Sequence, residues 1–120
     1  MGMGPTSLKW HVAVLIVEGR VEGEDDELPL VDVQYKLLRA QDAESAYQRA
    51  WDLAASEELE YENDEGAMVR WRCVGLHDLR ELSESPGDGS EIYSWMDRAD
   101  PNDWVTPKED LAIFASPNPA

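Results

Sequence analysis

The chain has 120 residues, of which 42% are hydrophobic, and a formal net charge of −16 at pH 7. This length suits one domain with a modest core, and the hydrophobic content excludes a chain that is disordered throughout. So strong a negative charge argues against nucleic acid and anionic membranes as partners, and it favours encounter with a basic protein.

The first part of the chain predicts an antiparallel β-hairpin behind a flexible lead-in at residues 1–8. Residues 10–17 are apolar at nearly every position, which is typical of a central strand covered on both faces. Residues 30–39 alternate between apolar and polar side chains, as in a strand with one buried and one solvated face. The intervening residues 19–29 are rich in carboxylates and are expected to form the solvated end of the hairpin.

Residues 42–58 predict one amphipathic helix, around which the other elements are organised. Asp42 can cap its first turn by accepting a backbone N–H. The apolar stripe recurs at helical spacing and is mostly alanine: Ala43, Ala46, Tyr47, Ala50, Trp51 and Ala54. Alanine lets a helix lie close to a sheet, and we expect the two aromatic residues to fill the remaining space. In particular, Trp51 is expected to pack on Trp71 of a later strand.

Three more strands are predicted after the helix. Residues 59–63 are short and acidic, as suits an edge strand, and they turn through Gly66 into a strand over residues 68–76. Residues 91–97 are expected to form the last strand.

The strand over residues 68–76 should point three residues at the core: Val69, Trp71 and Cys73. Arg70 and Arg72 then lie on the opposite face, where we expect Glu60 and Glu62 to pair with them across the strands. Continued alternation puts Leu76 on the same face as the arginines.

Residues 99–120 form a proline-rich tail. Thr106 and Pro107 resemble the start of a short helix reaching about residue 115, which would expose Leu111 and Phe114. We expect either this tail or a second subunit to cover the sheet face that the long helix leaves open. The whole chain therefore predicts an α+β fold in the order ββαβββ. One long amphipathic helix packs on a mainly antiparallel sheet of four to five strands in a single domain at residues 9–98, followed by the short C-terminal helix.

Several segments of the chain carry a family resemblance: Trp10-His11-Val12-Ala13, residues 40–47, Tyr61-Glu62-Asn63, residues 69–75 and residues 88–94. They resemble a bacterial family catalogued as domain of unknown function family four-two-eight-eight. The likeness extends over about residues 9–95. It implies a small bacterial domain and brings no activity, cofactor or catalytic residue to this chain.

The histidines and the cysteine of the chain do not belong to a recognisable catalytic motif. His77 and Asp78 are neighbours, but in a regular strand they point to opposite faces, so a structural role is expected for both His77 and His11. Cys73 is the single cysteine, which excludes an intramolecular disulfide or a cysteine-based zinc site and suits a reducing cytoplasm. We expect it to act as a small buried hydrophobe.

The sequence also predicts neither a metal-binding motif nor a membrane-spanning segment. The carboxylates at residues 24–27 and 97–103 lack EF-hand spacing, so no metal or cofactor is predicted. Residues 1–9 do not resemble a secretory signal, and the apolar run at residues 12–17 is too short to cross a bilayer. A cytoplasmic protein is therefore expected.

The acidic residues suggest a surface for a protein partner. The candidate residues lie in the hairpin loop and on the outer helix face: Glu22, Glu24, Asp25, Asp26, Glu27, Glu44 and Asp52. Such a surface would speed encounter with a basic protein, as in a bacterial immunity protein that blocks a toxin. A self-associating homodimer is compatible with this hypothesis. The alternative is a small enzyme or ligand-binding domain with a cleft between helix, sheet and tail.

Overall fold

A computed structural model describes residues 7–24 and 28–114 of the chain. Its main elements are four strands and one helix: β1 Lys9–Val21, β2 Leu30–Ala40, α1 Ala43–Ala55, β3 Leu59–Glu62 and β4 Met68–Glu81. The strands form one antiparallel sheet in the order β2-β1-β4-β3. The α+β class is therefore confirmed, and the mostly apolar residues 10–17 lie in a central strand.

Helix α1 lies on one side of the sheet, which we call the helix face. Asp42 accepts a hydrogen bond from Ser45 N at 2.8 Å and caps the helix as predicted. The helix ends at Ala55, three residues before the predicted end, and the Ser56 hydroxyl donates to Leu53 O at 2.6 Å beyond it. The buried core joins alanines of the helix to residues of β1 and β2: Ala13, Leu15, Val17, Leu38, Ala40, Ala46, Ala50 and Ala54.

The two aromatic residues of the helix flank this core instead of filling it. Alanine occupies the line of closest approach at every fourth position, so the adjacent Tyr47 and Trp51 are rotated towards the edge of the contact. They remain 45% and 37% exposed and stack edge to face, with ring centroids 6.4 Å apart. Trp71 instead lies over Gly19 and packs against the core. The expected packing of Trp51 on Trp71 is therefore wrong.

Strand β4 contains two single-residue bulges. His77 has no partner in β1, because the residues on either side of it pair with the consecutive residues Val14 and Leu15. Val74 has no partner either, because its neighbours pair with Ile16 and Val17. Each extra residue reverses the alternation of side chains along the sequence. The stretch between the bulges is therefore out of phase with the rest of β4. Leu76, expected on the face of the arginines, pairs with Leu15 and packs against the core on the helix face.

The ion pairs on β4 follow from its register. Glu60 lies opposite Arg70 as predicted and accepts from its Nε at 2.9 Å. Glu62 lies opposite Met68, so it does not pair with Arg72 as expected. Arg72 lies opposite Glu18 of β1 instead, with Nε and Oε2 3.9 Å apart.

The opposite side of the sheet, the outer face, is covered near its centre by the chain that follows β4. Tyr35 and Asp78 are both register partners of Val14, and Tyr93 contacts both of them. Its ring lies 5.0 Å from that of Tyr35, and its hydroxyl lies 3.2 Å from Asp78 Oδ2. Tyr93 therefore lies above Val14, which is fully buried.

The rest of the tail differs from the sequence-based expectation. Residues 91–97 are not a strand, because this segment crosses the outer face instead of joining a sheet edge. In place of a helix over residues 106–115, the described part contains two 3₁₀ turns, Pro101–Trp104 and Lys108–Asp110. Leu111 and Phe114 are exposed, so the covering contact is made by Tyr93 and not by these two residues.

Candidate functional site

One end of the sheet gathers exposed carboxylates from two separate parts of the chain. Glu22 follows β1, and its backbone N–H donates to Met68 O at 2.8 Å. Its side-chain Oε1 accepts from Met68 N at 3.2 Å. These bonds hold the loop after β1 beside the turn between β3 and β4. We call the resulting surface the acidic end and define it by five exposed residues: Glu22, Glu24, Glu62, Asp64 and Glu65.

The turn that contributes to the acidic end is built around Asn63 and Gly66. Asn63 Oδ1 accepts from Glu65 N at 2.9 Å and from Ala67 N at 3.0 Å. Gly66 has a φ of 82°, a conformation that favours glycine, as the sequence predicted. Among the described residues, no ion pair involves a carboxylate of the acidic end. Their charge is therefore available to a partner.

The candidate residues identified from the sequence are divided by the fold. Glu22 and Glu24 lie at the acidic end, and residues 25–27 fall outside the described part of the chain. Glu44 is in the first turn of α1, just beyond Ala40, which pairs with Lys9 at the far end of β1. Because β1 has 13 residues and rises about 3.3 Å per residue, that end is roughly 40 Å from the loop.

The other helix residue, Asp52, is exposed further along α1. Glu44 and the loop do not form one surface, so the carboxylates joined to the loop are those of the β3–β4 turn. Sequence reasoning missed Glu62, Asp64 and Glu65 because their position depends on pairing between β1 and β4, which no local pattern specifies. The sequence predicted the turn at Asn63 and Gly66, but it did not show that this turn lies beside the loop that begins at Glu22.

A surface depression of about 520 Å³ adjoins the acidic end on the outer face. It is lined by residues of β1, β4 and the loop: Glu18, Arg20, Val21, Glu22, Met68, Arg70 and Arg72. Glu18 accepts from Arg20 Nε at 2.8 Å. Hydrogen bonds to Glu60 raise the pKa of the Arg70 guanidinium. Three arginines thus meet here, and each has a carboxylate partner. We call this the arginine depression.

Comparison with known proteins gives one result. Residues 10–94 match a family described as Domain of unknown function (DUF4288). This chain belongs to that family. No curated protein and no solved structure matches it. The match includes Tyr93, so the DUF4288 domain contains the residue that covers the outer face as well as the sheet and helix.

The polar cluster around Tyr93 in the DUF4288 domain is a docking contact for the tail. Asp78 accepts hydrogen bonds from Leu79 N at 2.8 Å and Arg80 Nε at 2.9 Å. The hydrogen bond from Leu79 N is the main cause, and that from Arg80 the second, of a lowered pKa of Asp78. Partial burial, and then the bond to Asp78, raise the pKa of Tyr93. Arg80 also donates to Ser94 O at 2.9 Å, so the charges hold the tail in place.

The histidines and the cysteine of the DUF4288 domain have separate local contacts. His11 is buried, and its Nδ1 lies 2.9 Å from Lys9 O. His77 is the exposed extra residue of a bulge. Cys73 is half-buried on the helix face, with Sγ 3.3 Å from Gly75 O. Within residues 7–24 and 28–114, no three His, Cys, Asp or Glu side chains are grouped to hold a metal ion. In the same ranges no helix is long and apolar enough to span a membrane.

Proposed function

We propose that this DUF4288 domain is a cytoplasmic, non-enzymatic interaction domain that binds a basic protein through its acidic end. The observation that carries the proposal is the pair of hydrogen bonds between Glu22 and Met68, which join two carboxylate-bearing loops. The five carboxylates of the acidic end are exposed, and no described cation pairs with them. A partner would therefore neutralise them without breaking an existing ion pair.

The spread of the charge favours a protein partner over a small cation. The carboxylates are spread over two segments, residues 22–24 and 62–65, and among the described residues no three of them are grouped to hold a metal ion. Such a surface steers a cationic protein during diffusional encounter, and its field is screened beyond about 8 Å at physiological salt. An immunity protein that blocks a basic toxin is one kind of protein that would use such an acidic surface.

Capture from a lysate of the native host tests this proposal. The bait variant carries Glu22→Gln, Glu24→Gln, Glu62→Gln, Asp64→Asn and Glu65→Gln. A matched control carries the same number of neutral substitutions at exposed positions elsewhere: Glu44→Gln, Asp52→Asn, Glu58→Gln, Glu84→Gln and Glu91→Gln. We expect the parent and the control to capture a basic protein that the first variant does not capture. Circular dichroism checks that all three chains are folded.

Kinetics with the captured protein provide the second test. The association rate constant should fall steeply as salt is added, while the dissociation rate constant changes less. Capture of neutral or acidic proteins alone, or equal capture by all three baits, would show that the charge serves solubility and not recognition.

The alternative function, a ligand-binding or enzymatic domain, is favoured by one observation. The arginine depression joins Arg20, Arg70 and Arg72 in a chain that is otherwise strongly acidic. Arginine forks recognise carboxylates and phosphates. If this is the functional site, citrate or inorganic phosphate should bind in calorimetry, and Arg72→Gln should weaken binding. The depression lies on the outer face at one end of the sheet, away from the contact between helix and sheet.

A further inference from the structure

Strand β2 forms a long edge of the sheet. It pairs with β1 without a bulge along its whole length, from Ala40 opposite Lys9 to Leu30 opposite Gly19. Its other side has no strand neighbour, and no backbone hydrogen bond among the described residues reaches it from a loop or the tail. A straight edge of this length presents a row of unpaired N–H and C=O groups and can accept another strand.

The outer-face side chains of β2 are apolar and remain half exposed in the single chain. They follow one another at alternate positions: Val31 at 51%, Val33 at 47%, Tyr35 at 49% and Leu37 at 42%. Tyr93 contacts Tyr35 from the side of β1, above Val14, and leaves the edge itself open. Addition of a strand would cover the flank of this apolar row with the side chains of the added strand.

The sequence of β2 is complementary to itself when it is read antiparallel about Gln34. In that register Asp32 lies opposite Lys36 of the second copy, and Lys36 lies opposite its Asp32. Val31 then faces Leu37, and Val33 faces Tyr35, on both sides of the centre. Moving the centre by one residue, to Val33 or Tyr35, removes the charge pairing, because Asp32 would then face Gln34 or Leu38.

Gln34 itself carries an unexplained polar atom at the centre of this register. Its Nε2 donates to Asp32 Oδ2 at 2.7 Å, while its Oε1 is buried without a hydrogen-bond partner among the described residues. Directly opposite residues of antiparallel strands have Cβ atoms about 5 Å apart. Hydrogen bonds from Lys36, and then from Gln34, lower the pKa of Glu57, so the Gln34 amide also faces that carboxylate. Rotation of the amide would allow each Gln34 to donate one Nε2 hydrogen to the Oε1 of the other copy.

We propose that two copies of this chain associate by antiparallel pairing of their β2 strands about Gln34. The two sheets then become one continuous sheet with both helices on the same side, related by a two-fold axis. Asp32 and Lys36 form two symmetric ion pairs on the helix face, and the valine, tyrosine and leucine side chains close an apolar row on the outer face. This association is independent of the acidic end.

The other edge of the sheet gives an informative contrast. β3 has four residues and carries Glu60 and Glu62, and short acidic edges resist strand addition. β2 has 11 residues, and within residues 30–38, which pair with each other about Gln34, the two charged residues Asp32 and Lys36 are of opposite sign. Such charges deter an arbitrary strand but complement a second copy. The pattern therefore selects self-association over general aggregation.

Sedimentation equilibrium of the full chain over a range of concentrations tests the proposal. We expect a reversible monomer–dimer equilibrium for the parent. Val33→Asp should shift it to monomer, at least tenfold in dissociation constant. Val74→Asp is the matched control, because Val74 is equally exposed at 47% but lies in a bulge of β4. A parent that stays monomeric, or a control that dissociates the dimer as strongly as Val33→Asp, overturns the proposal.

Charge-swapped chains test the register. Asp32→Lys alone and Lys36→Asp alone should each weaken self-association, because like charges then face each other. An equimolar mixture of the two variants should form a heterodimer, because every opposed pair is again of opposite sign. Thermal melts check the fold of the Lys36→Asp chain, because Lys36 Nζ also lies 2.6 Å from Glu57 Oε2 within one copy. Failure of two folded variants to associate when mixed overturns the pairing about Gln34.

Self-association through β2 and binding of a basic protein at the acidic end should respond oppositely to salt. Added salt screens the repulsion between two chains of net charge −16 and should strengthen the dimer. The same salt should weaken binding of a basic protein. Loss of one behaviour therefore leaves the other measurable.

Discussion

At the scale of single residues, Gly19 and Trp71 fit closely against each other. The two are register partners on the helix face, and a Cβ at position 19 would lie 2.6 Å from carbons of the indole ring. From the sequence, position 19 is expected to begin the carboxylate-rich loop over residues 19–29. In the structure it continues β1, since the missing side chain leaves room for the indole.

This contact predicts a specific coupling between the two positions. Gly19→Ala should lower the free energy of unfolding by about 1–3 kcal/mol, as overpacking does. In a Trp71→Leu background the same substitution should cost much less, because the clashing ring is absent. Urea denaturation of the four chains of this cycle measures the coupling.

Gly75→Ala is the control, because nothing lies within 4 Å of a Cβ built at that position. An equal cost for Gly19→Ala in both backgrounds would contradict the placement of Trp71 over Gly19.

At the scale of elements, the sequence predicted the parts of the fold that have a local signature. The alternation in β2, the stripe of α1 with its Asp42 cap and the turn at Gly66 all appear in the structure. The strand expected at residues 91–97 does not, although its side chains alternate. Alternation shows which residues face apolar surroundings, but it does not show whether the backbone finds a strand partner.

The tail segment can be tested by truncation at two points. A chain ending at Arg98 keeps Tyr93 and should melt close to the parent. A chain ending at Glu84 loses Tyr93, exposes Val14 and should bind a hydrophobic dye and melt at a lower temperature. Fluorescence with such a dye and calorimetric melts distinguish the two. Similar behaviour of both truncated chains would show that Tyr93 is not the cover of the outer face.

At the scale of the whole molecule, the negative charge far exceeds what the ion pairs neutralise. The chain has 26 acidic and 10 basic residues, and the ion pairs among the described residues are mostly exposed. The number of charges follows directly from the composition. It could not show that residues 22–24 meet residues 62–65, because this requires β1 and β4 to pair over a long sequence separation.

This charge also predicts how stability depends on salt. Self-repulsion opposes the compact state and is screened as the Debye length falls from about 30 Å at 0.01 M to about 8 Å at 0.15 M salt. We therefore expect the melting temperature to rise over this range. The variant in which all five carboxylates of the acidic end are neutralised should show a smaller rise in melting temperature. A melting temperature that is independent of salt in both chains would mean that the carboxylates are too far apart to repel.

The bulges of β4 have a consequence for insertions and deletions. Val74 and His77 have no register partner in β1, so removal of either residue leaves every existing partnership between the two strands intact. Removal of Arg70, by contrast, would shift Trp71, Arg72 and Cys73 by one position before the bulge at Val74 and turn their side chains to the wrong face. Deletion of Val74 or of His77 is therefore expected to leave the topology of the sheet unchanged.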